Sequence, residues 1–564
     1  MMTPMQQRRL ARPLRLLQPH YDAVVVGSGY GGGVAAARLA HAGKRVAVLE
    51  RGREILTGEF PRRFSDLRRD LQLTGKQLRL GSASGLYDVR LGDDMHVLVG
   101  CGLGGGSLIN AGVALRPEPR VFQDPVWPSE LARDPLLEQA FIEARRWLRP
   151  ARDPAAAHRA KYKALAAAGA ALGAEPVAAP VTVSFSDIVN PAGIAQPACT
   201  LCGDCCGGCN VGAKNSVALT YLPDAARHGA QIFCHAKVRY LAQAHDGRWQ
   251  LHLEAQDGAE AGAERTRTVS ADVVVLAAGS LGSTEILLRS RDRGLAVSDA
   301  LGRRFSANGD IIAFGWGGNL PVGAIGVGHP ARINDAVVGA TVSGQIELVD
   351  PDTLAHSLTI QEGALPSAMA PILPVLFLPN GRLLGALQSL ISGVYKGPFA
   401  SLQTFFAVSH DSAGGELRLK ADRLELSWPG VREEPVYRRL DAALDALVQR
   451  AGGTYVKNPL AATMLGDQPA TAHPLGGCSI GCDHRDGVVN HKGQVFAGRS
   501  HQVHAGLFVL DGAIMPRSLG ANPLLTITAL AERAMQHMAL DCGFPYSAAT
   551  TSNLQPDPLP LSAL

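Results

Sequence analysis

The chain has 564 residues, 46% of them hydrophobic, which is ample material for a large core and for two or more structural units. A formal net charge of +4, with only 18% charged residues, leaves no strong basic field, so a nucleic-acid partner is not expected. No run of about twenty apolar residues could span a bilayer, and the arginine-bearing start MMTPMQQRRLARPLRLLQPH lacks the apolar stretch of a secretory signal, so a cytoplasmic location is expected.

The first informative stretch is residues 21–52, YDAVVVGSGYGGGVAAARLAHAGKRVAVLERG. Ala23–Val26 is a short apolar, β-branched run of the kind that forms a buried parallel strand. Gly27, Gly29 and Gly32 spell G-x-G-x-x-G, an Ala-rich helix stops at Gly43, and a second apolar run delivers Glu50. The glycines let backbone amides approach a pyrophosphate at a helix N-terminus, and the acid suits a ribose hydroxyl. This unit predicts dinucleotide binding.

Residues 53–95 read as a mixed surface excursion. His96–Leu115, HVLVGCGLGGGSLINAGVAL, then adds a second Gly-rich loop able to lie flat against a ligand. Residues 116–180 read as surface helices. Five cysteines follow in CTLCGDCCGGCNVGAKN. Cys199, Cys202, Cys205 and Cys209 give C-x2-C-x2-C-x3-C, the bacterial ferredoxin spacing with Asn210 in place of the usual Pro. An iron–sulfur cluster, zinc and unliganded thiols all stay open here. Strands are expected over Gln231–Leu241, Arg248–Leu253 and Thr268–Leu276, with Asp272–Ala278 read as a buried strand that ends at Gly279 and leads into a helix to Arg289.

Between 305 and 465 the pattern changes. Val338–Leu348, Phe405–Val408 and Leu417–Trp428 alternate as an antiparallel sheet with one covered face would, which marks out a substrate domain. Ala364–Pro379 is apolar and broken by prolines. It can line an apolar cavity, form a lid that makes peripheral contact with a membrane surface, or simply pack as a buried loop. The last twenty residues read as a loose tail. Near the end, AHPLGGC carries His473, and LFVLDGAIMPRSLGANP leads into an apolar-striped helix with Asn522 as N-cap and Pro523 in its first turn. A neutral imidazole can accept a hydroxyl proton while an amide fixes a lone pair, and a helix N-terminus suits developing negative charge.

VVVGSGYGGG, GCGLGGGSLINAG, VVVLAAGSLGSTEIL, HPLGGC and SLGANPLLTITALAER together resemble the glucose–methanol–choline family of flavoproteins, in its cholesterol-oxidase-like branch. They extend from about residue 21 to 535, nearly the whole chain. The resemblance implies an α/β fold, in which a Rossmann-like FAD-binding domain (1–304, returning at 466–564 with the tail) holds an inserted α+β substrate domain (305–465) on an antiparallel sheet. It implies FAD, with Gly27, Gly29, Gly32 and Glu50 on the ADP half and Val238 at the adenine. Gly104, Gly105, Gly106, Ser107 and Asn110 would run beside the isoalloxazine, and Asp511 would anchor the ribityl–pyrophosphate region. His473 and Asn522 match the pair facing the reactive edge of the flavin. Ile109 stands where some members attach FAD through His, so non-covalent FAD is expected.

The implied reaction is oxidation of a small-molecule alcohol, a bulky apolar secondary one such as a 3β-hydroxysteroid, with oxygen or another electron acceptor. One alternative is a dehydrogenase for another alcohol or sugar that sends electrons through a Cys-bound cluster. Another is a flavin-bound carrier without turnover, against which the intact His473/Asn522 pair speaks. Steroid oxidases of this type also use a glutamate to move a double bond. Glu362 lies in IQEGALP, but matching the strands puts the expected carboxylate near Phe399, so a Δ5-isomerase step is left unassigned.

Overall fold

The computed structural model describes residues 8–76, 78–256, 259, 264–332, 337–377, 393–457 and 466–546. Nearly all of the expected C-terminal tail and the end of the Ala364–Pro379 stretch lie outside the described residues. β1 (His20–Val26), α1 (Tyr30–His41) and β2 (Val46–Leu49) form the expected strand–helix–strand unit. β1 and β2 pair in parallel from Ala23 opposite Val46 to Val26 opposite Leu49. Gln231–Phe233 extends this sheet beyond β2, and Thr266–Leu276 and then Val503–Val509 extend it beyond β1, all in parallel. The strands are apolar on both faces because helices cover both faces, the condition for a parallel sheet. The early half of Thr266–Leu276 also carries an antiparallel pair, Trp249–Ala255 and Ala236–Gln243. The single strand expected over Gln231–Leu241 is therefore two strands, broken where His235 takes φ +58°.

A second, antiparallel sheet runs in the order Thr454–Val456, Ile311–Trp316, Gln403–Val408, Leu358–Gly363, Gly344–Leu348 and Val177–Ala178. Its two faces separate by the period-2 rule. Ile311, Ala313, Ile346, Ile360, Phe405 and Ala407 pack toward the amphipathic helix Pro435–Arg450. Ile312, Phe314, Trp316 and Phe406 point the other way. Only Gly344–Leu348 of the expected Val338–Leu348 strand is extended, and Leu417–Trp428 is a separate hairpin, Glu416–Lys420 with Arg423–Ser427, turned at Ala421 and Asp422 with positive φ. The excursion at 53–95 is more ordered than expected. Leu71–Thr74, Arg79–Gly81, Tyr87–Leu91 and His96–Gly100 make a small sheet of short strands, in which Leu71/Leu73 and Tyr87/Val89/Leu91 alternate with polar residues. Among the described residues no helix is long and apolar enough to cross a membrane.

One buried ionic network locks α1 in place. Arg38 of α1 forks onto Glu532 of the terminal helix Leu524–Cys542 at 2.7 and 2.8 Å, and reaches Glu143 of Pro135–Leu148 at 3.0 Å. Tyr221 and Tyr546 donate to Glu532, and Trp147 donates to Glu143, so these carboxylate oxygens are satisfied. Removing one partner of such a pair strands the other charge in the core. Glu532→Ala should therefore cost about 3–5 kcal/mol, read as a lower urea midpoint. Arg69→Ala, which breaks an exposed pair with Asp66, should leave that midpoint nearly unchanged.

Candidate active site

The three glycines of the first motif have different physical reasons to be glycine. Gly27 sits at φ +93°, and a Cβ there would lie 2.3 Å from the Ala277 carbonyl oxygen. A Cβ on Gly32 would lie 2.1 Å from the Gly27 oxygen, so this glycine sets how closely α1 packs on β1. Gly29 caps α1 with ordinary backbone angles, and its Cβ would meet nothing within 4 Å. Nothing in the protein demands Gly29; a ligand passing close to the N-terminus of α1 would. The open space beside Gly29 at this helix end thus fits a dinucleotide pyrophosphate.

Glu50, at the end of β2, is buried. It accepts from Ser28 Oγ at 2.6 Å and from the Gly52 amide at 2.8 Å. Burial pushes its carboxyl pKa up, and the Ser28 hydroxyl pulls it back. Ser28 Oγ in turn accepts from the Gly104 amide at 2.9 Å, stitching the first Gly loop to the second. There Gly104 and Gly105 take φ +115° and +56°, and a Cβ on Gly105 would lie 2.9 Å from Gly29 Cα, whereas Gly106 has open space before it. Ser107 bonds its own loop at Gly104 O and accepts from Val217 N. Asn110 donates to Tyr30, while its Oδ1 is buried without a partner among the described residues, an acceptor open to a ligand. Val238 is buried in the strand that follows the Glu50–Ala236 backbone bond. Asp511 accepts from the Gly279 amide, Ser283 Oγ and the Ala513 amide, and burial pushes its carboxyl up to about 6. Ile109 packs with the Ile55–Phe60–Leu86–Leu108 cluster.

The cysteine run adjoins this loop. Lys214 is buried and donates to the carbonyls of Leu108, Asn110 and Cys205, and burial pushes its pKa down. Burial pushes the Cys202 thiol up to about 12 and raises those of Cys199 and Cys205. All ten cysteines are free, and no three ligand atoms of Cys199, Cys202, Cys205 and Cys209 lie within 4.8 Å of one another. A single tetrahedral ion with bonds of about 2.3 Å would require a tighter set.

His473 and Asn522 are held by one segment, Ser306–Asp310, that the sequence does not single out. Asp411, buried, accepts from Ser306 Oγ at 2.7 Å and from the Ala307 and Gly309 amides at 2.9 Å each. Burial pushes its carboxyl up to about 6. So anchored, Asn308 adopts φ +60°. It accepts from the Leu519 and Gly520 amides and donates to Ala521 O at 2.9 Å, fixing the turn before Asn522. Asp310 accepts from the Ala472 amide at 2.8 Å and from Thr471 Oγ1 at 3.2 Å, and its Oδ2 lies 3.4 Å from His473 Nδ1.

Asn522 does not cap the terminal helix as its sequence position suggests. That helix starts at Leu524, and the Asn522 side chain turns to Gln361, whose Nε2 donates to Asn522 Oδ1 at 2.6 Å. The register sets Ile312, Phe406, Gln361 and Gln345 in a row across the second sheet, so Asn522 sits over a row that is half apolar. Beyond it, Phe314, Trp316, Phe377 and Phe399 form an aromatic cluster. The apolar residues of Ala364–Phe377 that join this wall are buried. Glu362 faces away from Gln361 by strand alternation and pairs with Lys161 at 2.9 Å, and Phe399 is an apolar wall residue. The sequence pattern held no signal for Asn308, Asp310 or Asp411.

Comparison with known proteins is consistent with this geometry. A family model for the N-terminal part of GMC oxidoreductases matches residues 21–307, and one for the C-terminal part matches 437–531. The chain is 29% identical to a cholesterol oxidase of Mycobacterium tuberculosis, covering 92% of this chain and 91% of that one. It is 27% identical to a cholesterol oxidase of Acinetobacter baumannii (92% and 94%) and 26% identical to a long-chain-alcohol oxidase of Arabidopsis thaliana (90% and 66%). Pyridoxine 4-oxidase from Mesorbium loti has the same fold, with a TM-score of 0.59, 19% identity, and coverage of 92% of this chain and 98% of that one.

Two outcomes are expected. Gly29→Ser, which keeps a good helix cap, should hold the apoprotein's stability within about 0.5 kcal/mol while weakening FAD binding by about tenfold or more, equivalent to ~1.4 kcal/mol. Equilibrium titration of FAD into apoprotein measures it, and parental affinity would place the pyrophosphate elsewhere. Acid precipitation should leave all the flavin in the supernatant; colour in the washed pellet would contradict non-covalent binding.

Proposed function

The chain belongs to the GMC oxidoreductase family of FAD-dependent enzymes acting on CH–OH groups, and from that premise we propose that it oxidises a bulky, apolar secondary alcohol of the 3β-hydroxysteroid kind. The observation that carries this reading is the bond from Gln361 to Asn522, which sets Asn522 on a sheet row shared with Ile312 and Phe406, with Phe314 and Trp316 of the aromatic cluster on the same face. A hydroxyl at the polar couple His473/Asn522 would put a large hydrocarbon body against that wall. The relatives named cholesterol oxidase and long-chain-alcohol oxidase support an apolar substrate, and their names make dioxygen the proposed acceptor. In this reading five strands of the antiparallel sheet belong to the substrate domain inserted at 305–465 between the two FAD-binding segments, and the edge strand Val177–Ala178 joins it from the first segment.

FAD, when bound along the two Gly loops, supplies the acceptor for the hydride leaving the carbinol carbon. The protein's part is to take the hydroxyl proton as the C=O bond forms. His473 Nε2 is the proposed acceptor of that proton. Asn522, held by Gln361, is the proposed partner of the hydroxyl oxygen. The amides at the N-terminus of Leu524–Cys542, which have no side-chain cap, are the proposed stabilisers of developing negative charge. The thiols of the Cys199–Cys209 run have no assigned part in this chemistry; an iron–sulfur cluster there would register as iron and acid-labile sulfide.

The test is anaerobic rapid mixing with sterols and long-chain alcohols. His473→Ala and Asn522→Ala should each slow flavin bleaching by about 10²–10⁴-fold while FAD stays bound. A variant that reduces at the parental rate removes that residue from the mechanism.

A further inference from the structure

We infer that Asp310 is a positioning residue that holds His473 in the Nδ1–H tautomer, so that Nε2 faces the substrate hydroxyl; this rests on the role proposed for His473. An imidazole can serve as a base at one nitrogen only if the other carries the proton, and which nitrogen does so is set by what that nitrogen faces. His473 Nδ1 is buried, has no hydrogen-bond partner among the described residues, and lies 3.4 Å from Asp310 Oδ2. That carboxylate oxygen can only accept from it, so the proton belongs on Nδ1.

The surroundings fix this relation tightly. Asp310 is 2% exposed, and its Oδ2 already accepts from Ala472 N and Thr471 Oγ1. The His473 amide donates to Thr471 Oγ1 at 2.9 Å, and Thr471 Oγ1 is 3.1 Å from Ala307 O. The carboxylate therefore holds the short Thr471–His473 turn through Thr471 Oγ1 and the Ala472 amide, and the ring lies beside it. Burial raises the Asp310 carboxyl, and the His473 ring is the largest influence pulling it back toward the ionised form. A separation of 3.4 Å is longer than a formed hydrogen bond. Catalytic bonds that are loose in the free enzyme commonly tighten in the reacting complex. When Nε2 takes the hydroxyl proton the ring becomes a cation, and a buried anion on its far side stabilises that cation where charge develops. No proton passes to Asp310; the proton from the alcohol stays on Nε2 until it leaves to solvent.

The first experiment needs no substrate, and a variant only to assign the signal. Long-range ¹⁵N–¹H correlation on the histidine-labelled holoprotein, above the imidazole titration range, reads the tautomer of His473. The signal is assigned by its loss in His473→Gln. The Nδ1–H form is expected, and the Nε2–H form overturns the proposal. Failure of any alcohol to bleach the flavin would sink the proposed activity but leave this reading intact, so the two failures are distinguishable. For an active enzyme, Asp310→Asn should slow flavin reduction by about 10²-fold or more with little change in the Kd for the alcohol. It should also move the His473 ¹⁵Nδ1 resonance. Parental reduction rates with an unchanged resonance would leave Asp310 a backbone support only.

Discussion

The buried carboxylate of Asp411 is the constraint on which the candidate active site depends. It gathers Ser306 Oγ and the amides of Ala307 and Gly309 onto its two oxygens, holding a five-residue segment in a shape it would not keep alone. From that segment Asn308 secures the turn leading to Asn522, and Asp310 secures the turn leading to His473. The two members of the polar couple come from the C-terminal part of the chain, 49 positions apart by number (473 to 522). Their placement is set by residues more than 160 positions earlier. A carboxylate desolvated to this degree is costly unless its lone pairs are filled, and here four donors fill them, the Ala413 amide being the fourth.

The same logic recurs in the nucleotide cradle. Ser28 passes one hydrogen bond from the Gly104 amide and one to Glu50, so the two Gly loops and the acid move as one body. Lys214 extends the connection to the cysteine run through three carbonyls. Arg38 and Glu532 then fasten α1 to the terminal helix, whose N-terminus lies beside Asn522. The two Gly loops, the polar couple and the apolar wall are thus tied down by buried polar contacts, which suits a site that must hold two reactants in fixed register.

What was legible in the sequence was whatever local backbone geometry dictates. Gly27 and Gly32 are required by contacts 2.3 and 2.1 Å from a would-be Cβ, and such demands leave a motif within a few residues of themselves. The parallel strands were legible because both faces are covered and the runs are continuously apolar. Asp411 and Asn308 were not, since a polar residue acting over a separation of 100 or 200 positions has no periodicity to betray it. Asn522 misled in the same way: Asn-Pro is a sound helix start, yet the side chain bonds Gln361 of the antiparallel sheet and not the helix end. Gln361 and Glu362 differ by one strand position and point to opposite faces, which decides that the amide, not the carboxylate, meets the couple.

The account turns on hydride leaving an alcohol carbon while His473 and Asn522 hold the hydroxyl. The most direct measurement is the anaerobic half-reaction with a 3β-hydroxysterol carrying protium or deuterium at the carbinol carbon, followed by flavin absorbance. Bleaching that slows several-fold on deuteration, and that collapses in His473→Ala with FAD still bound, is the predicted result. Flavin that stays oxidised with every sterol and long-chain alcohol, in protein with a full complement of FAD, would contradict it.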